Sequence, residues 1–341
     1  MRRLSELTYR PAWWVPGPHA QTLWGKLFRR TPRVETRGEE WTTPDGDSLE
    51  IRRLDSEDPH APRILILHGL EGTIRSHYLA GMLAMARQHG WAADVLIFRG
   101  CNGKLNSAPR LYHSGETEDL DFVVRQLSAG QASRPLCIVG FSLGGNVLLK
   151  WLGEGRSLQS LPLVACAAIS VPFDLERGSR HIERGFSRVY SAHFLRTLRV
   201  KALRKLAQYP SAFDAGRLER ARTLYDFDDA VTAPMHGFRD AHDYYGSSSS
   251  LGFLSGINVP TLLLSAEDDP FLPRSVLDDV LKLARKSSNI VVDIVKHGGH
   301  VGFVSGTSPL SPHYFAEERV AEFLEGALED RIAPQSRLAA S

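Results

Sequence analysis

From Arg63 onward the chain alternates short, unbroken apolar runs with longer amphipathic stretches. Residues 64–67, 93–98, 136–139, 164–171, 261–266 and 290–295 have the continuous apolar character of strands buried on both faces. Residues 78–88, 116–127, 145–153 and about 314–328 read as helices between or after them. This rhythm predicts an α/β protein with a mostly parallel sheet flanked by helices. Ahead of it, residues 41–51 alternate around Asp45-Gly46, which predicts an antiparallel pair of strands.

The rhythm breaks between about Pro172 and Asn258. That stretch is polar and mainly helical, as in residues 194–203, and carries Pro210, Pro234 and the serine run 247–250. A helical insertion at this point would cover the carboxyl edge of the sheet, where α/β active sites lie. The expected organisation is therefore an α/β core at 36–171 and 259–330, a helical cap at 172–258, and a disordered tail at 331–341. Residues 1–35 form an arm rich in Trp, Pro and Arg, including Trp13, Trp14, Trp24, Leu27, Phe28 and Arg29-Arg30. Its interrupting prolines favour an arm that packs its aromatics on the core over one that touches a membrane or forms a lid.

Composition narrows the classes further. The chain has 341 residues, 43% of them hydrophobic and 23% charged, which is ordinary for a soluble globular protein. A formal charge of only +2 provides no field for nucleic acid or acidic lipid. Cys101, Cys137 and Cys166 have neither disulfide-framework nor metal-site spacing, and packing is the expected role. Arg2-Arg3 resembles the start of a secretory signal, but Glu6, Arg10, Pro11, Pro16 and Pro18 argue against one. No run approaches the ~18 apolar residues that span a bilayer. A cytoplasmic protein without stable membrane insertion is expected.

The chemistry enters at Gly140-Phe141-Ser142-Leu143-Gly144, where an apolar strand pattern turns into a helical one. Gly-x-Ser-x-Gly at such a turn predicts a nucleophile elbow, with Ser142 exposed at the head of a helix. A serine hydroxyl needs a base to take its proton, and the base needs a carboxylate to orient it. Behind such an elbow the order is Ser, acid, His. After the insertion, Glu267-Asp268-Asp269-Pro270-Phe271-Leu272-Pro273 offers competing carboxylates; the Asp-x-x-x-Pro spacing favours Asp269 over Asp268. His297-Gly298-Gly299-His300 follows the last strand, and His300, deeper in the loop, is preferred to His297. The backbone N–H groups of Leu143 and Leu70 are the expected oxyanion donors, with His68 bracing the Leu70 loop.

These segments carry a resemblance. With His19-Ala20-Gln21-Thr22, His68-Gly69-Leu70-Glu71-Gly72, Phe98-Arg99-Gly100-Cys101-Asn102-Gly103 and residues 112–119, 140–146, 185–190, 268–271 and 297–303, the chain resembles the YheT-like branch of the α/β-hydrolase fold over nearly its full length. The resemblance implies an α/β-hydrolase fold with an inserted helical cap. It matches Ser142, Asp269 and His300 to the family's triad, and implies small-molecule acyl esters, short- to medium-chain or lipid-like, as substrates. The chain departs from the family at Gly17-Pro18-His19-Ala20-Gln21-Thr22, where Asn-x-His-Leu-Gln-Thr is usual.

Residues 99–103 and 112–119 read as loop and helix braces, with acyl-pocket shaping as the alternative. The run Asp226-Phe227-Asp228-Asp229 lacks His or Cys partners and reads as a solvated or Arg-paired face, not a metal site. The expected activity is hydrolysis of carboxylic esters through an acyl-enzyme, with no metal or organic cofactor. A thioesterase or acyltransferase with the same triad is the alternative, and a silent binding protein a more distant one. Ser142 stands where dehalogenases and epoxide hydrolases use Asp.

Overall fold

Eight strands form one sheet in the order β1-β2-β4-β3-β5-β6-β7-β8. The computed structural model describes residues 7–131 and 134–338; the Arg2-Arg3 and Glu6 positions and the last three residues lie outside them. β1 (Arg37–Thr42) and β2 (Ser48–Leu54) are the antiparallel pair around Asp45-Gly46, and β2 runs antiparallel to β4 (Ala92–Ile97). From β4 the sheet is parallel through β3 (Arg63–Leu67), β5 (Leu136–Phe141), β6 (Leu163–Ile169), β7 (Thr261–Ala266) and β8 (Ile290–Val295). Every residue of β3, β4, β5 and β7 is buried, which is why these strands read as unbroken apolar runs.

The helices ahead of β6 are α1 (Gly17–Phe28), α2 (His77–Gln88), α3 (Glu118–Ser128) and α4 (Leu143–Gly153). α1 packs on α2, and α3 on α4. The prolines of the arm do not prevent α1. Pro16 is its N-cap and Pro18 lies in its first turn, where a missing N–H costs no helical bond.

Between β6 and β7 the chain leaves the sheet through α5 (Leu175–Ile182), α6 (Arg188–Gln208), α7 (Ala215–Arg220), α8 (Leu224–Phe227), α9 (Ala233–Met235) and α10 (Ala241–Ser248). A π-helical turn, Asp228–Thr232, joins α8 to α9. These helices bury apolar clusters of their own, one around Leu195, Phe213, Leu218 and Val231, another around Leu175, Tyr244 and Tyr245. Two lysines tie α6 downward. The buried Lys205 donates to the carbonyls of Asn106 and Ala108 at 2.6 and 2.8 Å, and Lys201, one turn earlier, reaches Glu71.

After β7 come α11 (Arg274–Ala284), β8, a short hairpin of β9 (Val304–Ser305) and β10 (His313–Tyr314), and α12 (Phe315–Leu338). The tail expected from residue 331 thus starts inside α12, and its final residues 339–341 lie outside the described chain. The arm lies along the hairpin: Ala12 and Val15 are buried with Val304, and Trp14 meets Trp24 edge-on at 4.6 Å. Trp13 stays exposed, its indole N–H donating to the Thr307 carbonyl at 3.2 Å.

Candidate active site

Ser142 sits between the end of β5 and the start of α4 with φ 51° and ψ −118°, a left-handed backbone that a non-glycine residue holds only when its surroundings force it. Its N–H donates to the Ile169 carbonyl at 2.8 Å, and its carbonyl accepts from Asn146 N–H at 3.0 Å. Both flanking glycines are sterically required. A Cβ on Gly140 would stand 2.6 Å from the Gly144 carbonyl oxygen, and one on Gly144 would stand 2.6 Å from that of His68.

One hydrogen-bonded line runs from this hydroxyl. His300 Nε2 lies 2.9 Å from Ser142 Oγ, and His300 Nδ1 lies 2.8 and 3.1 Å from the two oxygens of Asp269. A carboxylate can only accept, so Nδ1 carries the proton and Nε2 is free to accept from the serine. Asp269 and His300 are buried, and the Phe271 ring stacks on the imidazole at 4.0 Å with 20° between planes.

The competing residues separate in space. Asp268 turns away from His300 and accepts the N–H groups of Gly298 and Gly299, each at 2.9 Å. His297 is 63% exposed and touches only the edge of Asp268, at 3.4 Å. The rest of the His300 loop is held by side chains from distant segments. Thr22 Oγ1 accepts from His300 N–H at 2.9 Å, Ser170 Oγ from Val301 N–H at 2.9 Å, and Gln21 Oε1 from Val304 N–H at 2.7 Å. Val301 is held at φ 57°, unusual for a β-branched residue, so these ties fix a conformation that the chain would not adopt unaided.

Across the serine, the loop after β3 is equally constrained. Gly69 N–H donates to Tyr78 Oη at 3.0 Å and Glu71 N–H to Tyr112 Oη at 2.7 Å. The Leu70 N–H between them has no partner among the described residues. Leu143 opens α4, so its N–H has no intrahelical acceptor. His68 is not a base: its Nδ1 donates to the Gly69 carbonyl at 2.7 Å and its Nε2 accepts from Phe98 N–H at 3.1 Å. Burial pulls it down to about 4, and the imidazole stays neutral as the brace of this loop.

Two cavities meet at Ser142. One, of about 140 Å³, runs under the inserted helices between Leu111, Leu175, Ile182, Phe194, Leu198 and Met235, with Asp228, Thr232 and His236 as polar wall. The other, of about 360 Å³, opens between Thr22, Lys26, Arg75, Tyr190, His193 and His300. Leu70, Ser142, Phe194 and Phe271 border both cavities, whereas His300 borders only the second.

Several residues at the site escape sequence reasoning. Gln21 and Thr22 stand in a motif whose role the sequence does not reveal, and Ser170 carries no signal of its own. Asn146 is a polar residue at the start of the apolar run of α4. Fully buried, it donates to the Ser114 and Ser248 carbonyls at 2.9 and 2.8 Å and accepts from Ser250 N–H at 2.9 Å, joining α4 to the 114 loop and the returning chain. Residues 99–119 divide between bracing and lining. Arg99 is buried in ion pairs with Asp45, Asp47 and Asp119, while Tyr112, His113 and Ser114 line the first cavity. In the acidic run, Asp226 caps α8 and Asp229 pairs with Arg217, but Asp228 is neither solvated nor Arg-paired. It accepts from Thr232 and Tyr245 at 2.6 and 2.7 Å and faces the cavity, where burial pushes its carboxyl up to about 6. Among the described residues no group of His, Cys, Asp or Glu could hold a metal, and no helix is long and apolar enough to cross a membrane.

The model of the alpha/beta hydrolase family matches residues 64–321. The chain is 40% identical to YheT of Escherichia coli (strain K12), whose name marks it as a candidate esterase, over 91% of each chain. It is 29% identical to the mouse (Mus musculus) protein named Phospholipase ABHD3, covering 94% of this chain and 79% of that one. In structure it resembles the Pyrococcus furiosus esterase Pf2001, with a TM-score of 0.56, 17% identity, and coverage of 86% of this chain and 91% of that one.

Proposed function

The chain belongs to the alpha/beta hydrolase family, and from that premise we propose that it hydrolyses carboxylic esters of lipid-like acyl chains through Ser142, His300 and Asp269. The observation that carries this is the unbroken line Asp269–His300–Ser142, with each contact at 2.8–3.1 Å. His300 Nε2 takes the Ser142 proton as Oγ attacks the ester carbonyl. Asp269 holds Nδ1–H and stabilises the imidazolium. The N–H groups of Leu70 and Leu143 receive the developing oxyanion, a stabilisation of roughly 3–4 kcal/mol per donor. His300 next protonates the leaving alcohol. It then takes a proton from water as the water oxygen attacks the acyl carbonyl, and returns that proton to Ser142 Oγ as the C–Oγ bond breaks and the acid is released.

Proton delivery also assigns the two cavities. The leaving oxygen must lie against His300, and the 360 Å³ cavity is the one that His300 borders. The alcohol therefore sits there, and the acyl chain enters the apolar chamber beneath the inserted helices, which act as a cap. The names of the relatives, an esterase and a phospholipase, support acyl esters with an apolar chain.

The test is turnover of a p-nitrophenyl ester series from acetate to palmitate, with the Ser142→Ala variant in parallel. Turnover with a chain-length optimum, abolished in the folded variant, is expected. Activity that survives Ser142→Ala rules the assignment out.

A further inference from the structure

We infer that the ion pair between Lys201 and Glu71 sets the oxyanion hole, so that cap helix α6 holds the Leu70 amide in its donating position. Lys201 is thereby a positioning residue supplied by the cap.

Glu71 directly follows Leu70 and stands at φ 56°, in the left-handed region, although it is not a glycine. Such a residue relaxes unless its neighbours fix it. Two neighbours do so. Tyr112 Oη accepts the Glu71 N–H at 2.7 Å and donates to its carboxylate at 2.8 Å. Lys201 Nζ donates to the same carboxylate oxygen at 2.6 Å and also contacts Cys101 Sγ at 3.3 Å. Both members of the pair are largely withdrawn from solvent, so screening weakens this contact far less than it would a surface pair.

The bridge joins helix α6 to the loop that carries Leu70. Phe194, Leu198 and Lys201 share one face of α6 and all line the acyl chamber. Packing an acyl chain against that face loads the same helix that grips Glu71. On the other side of the bridge, rotation of the Glu71 peptide out of its left-handed state swings the Leu70–Glu71 segment and takes the Leu70 N–H off the oxyanion. A Lys201 that only walled the chamber would affect substrate binding. One that sets the amide affects the transition state.

This inference rests on the proposed role of Leu70 in ester hydrolysis, and the experiment separates the two. Lys201→Met, Glu71→Gln and the double variant are compared with wild type in the second-order rate of Ser142 labelling by a fluorophosphonate, which needs the oxyanion hole but no particular ester. Ester kcat and KM are measured alongside. Lys201→Met is expected to label about 10- to 100-fold more slowly, a smaller loss than the roughly 10²–10³ for outright removal of an oxyanion donor, since the amide is displaced and not deleted. Its kcat should fall by the same factor while KM stays within about twofold, and the double variant should be no slower, since both changes break one contact. Wild-type labelling by a folded Lys201→Met variant, or a raised KM at unchanged kcat, overturns the inference. If that variant does not fold, Glu71→Gln decides: it keeps the side-chain size, and labelling at the wild-type rate overturns the inference equally. Labelling of wild type without ester turnover refutes the proposed substrate class, yet leaves the labelling comparison to decide on Lys201. A wild-type chain that does not label refutes both.

Discussion

Thr22 Oγ1 accepts the backbone N–H of His300 at 2.9 Å, across a sequence separation of 278 residues. The proposed general base is therefore aimed from α1, by a residue outside the 64–321 span that matches the family model. Thr22→Val, of equal shape, leaves that buried N–H without an acceptor. We expect kcat to fall about tenfold, equivalent to ~1.4 kcal/mol, with Thr22→Ser close to wild type. Equal kcat in the valine and serine variants, measured on one p-nitrophenyl ester, would show that the loop needs no such tie.

Asp268 and Asp269 are adjacent, yet the same substitution should have opposite consequences. Asparagine at 269 points an amide N–H₂ toward Nδ1 or stabilises the wrong tautomer, and kcat should drop by about 10³–10⁴. Asparagine at 268 retains a carbonyl oxygen for the Gly298 and Gly299 amides, both now bound by Asp268 Oδ1. Its kcat should remain within about tenfold of wild type, since neutral acceptors still satisfy amide donors. The reverse order of losses would assign the acid to Asp268.

Asp228 predicts a pH dependence of stability. Burial raises its carboxyl to about 6, whereas an unfolded aspartate titrates near 4. Between those values the folded chain holds a proton that the unfolded chain has released, so this group's contribution to stability falls as pH rises through that window. The buried neutral His68, lowered to about 4, acts in the opposite sense: its contribution is present above about pH 6.5 and is lost as pH falls toward 4. Subtracting wild type from Asp228→Asn isolates the aspartate. The variant should melt about 2–4 °C higher at pH 7.5, the shift expected for ~1 kcal/mol, and show no gain at pH 4.5. An equal gain at both pH values, read by thermal denaturation, would mean that burial of the charge is not the cause.

Met235 lines the cavity proposed to take the acyl chain. Met235→Trp should move the chain-length optimum toward shorter esters and reduce kcat/KM for the longest good substrate about tenfold, the scale of one misplaced methylene in a tight pocket. Acetate turnover should stay near wild type. A uniform loss across the series would place the acyl chain elsewhere.

How much of this could be read from the sequence depended on the range of each contact. The buried strands announce themselves because both faces are apolar, and the elbow because Gly140 and Gly144 sit where no Cβ fits. The choice between Asp268 and Asp269 rests on which way each side chain leaves the turn after β7, and spacing carries that only weakly. The sequence predicts a surface run at 226–229, but a π-helical turn points Asp228 inward while Asp226 and Asp229 do ordinary capping and pairing. The ties from Gln21, Thr22 and Ser170 to the His300 loop leave no local trace, because each is one hydrogen bond between segments far apart in the chain.

The two cavities have a consequence for the order of events. The cavities share Leu70, Ser142, Phe194 and Phe271, and His300 borders only the wider one, so the proposed mechanism gives the two products separate chambers. On the proposed mechanism the alcohol departs first and vacates the space beside His300, while the acyl chain stays anchored under the cap. Whatever enters that vacated space receives the acyl group. Water and a second alcohol then compete for one intermediate, and the free acid, last to leave, becomes the inhibitory product.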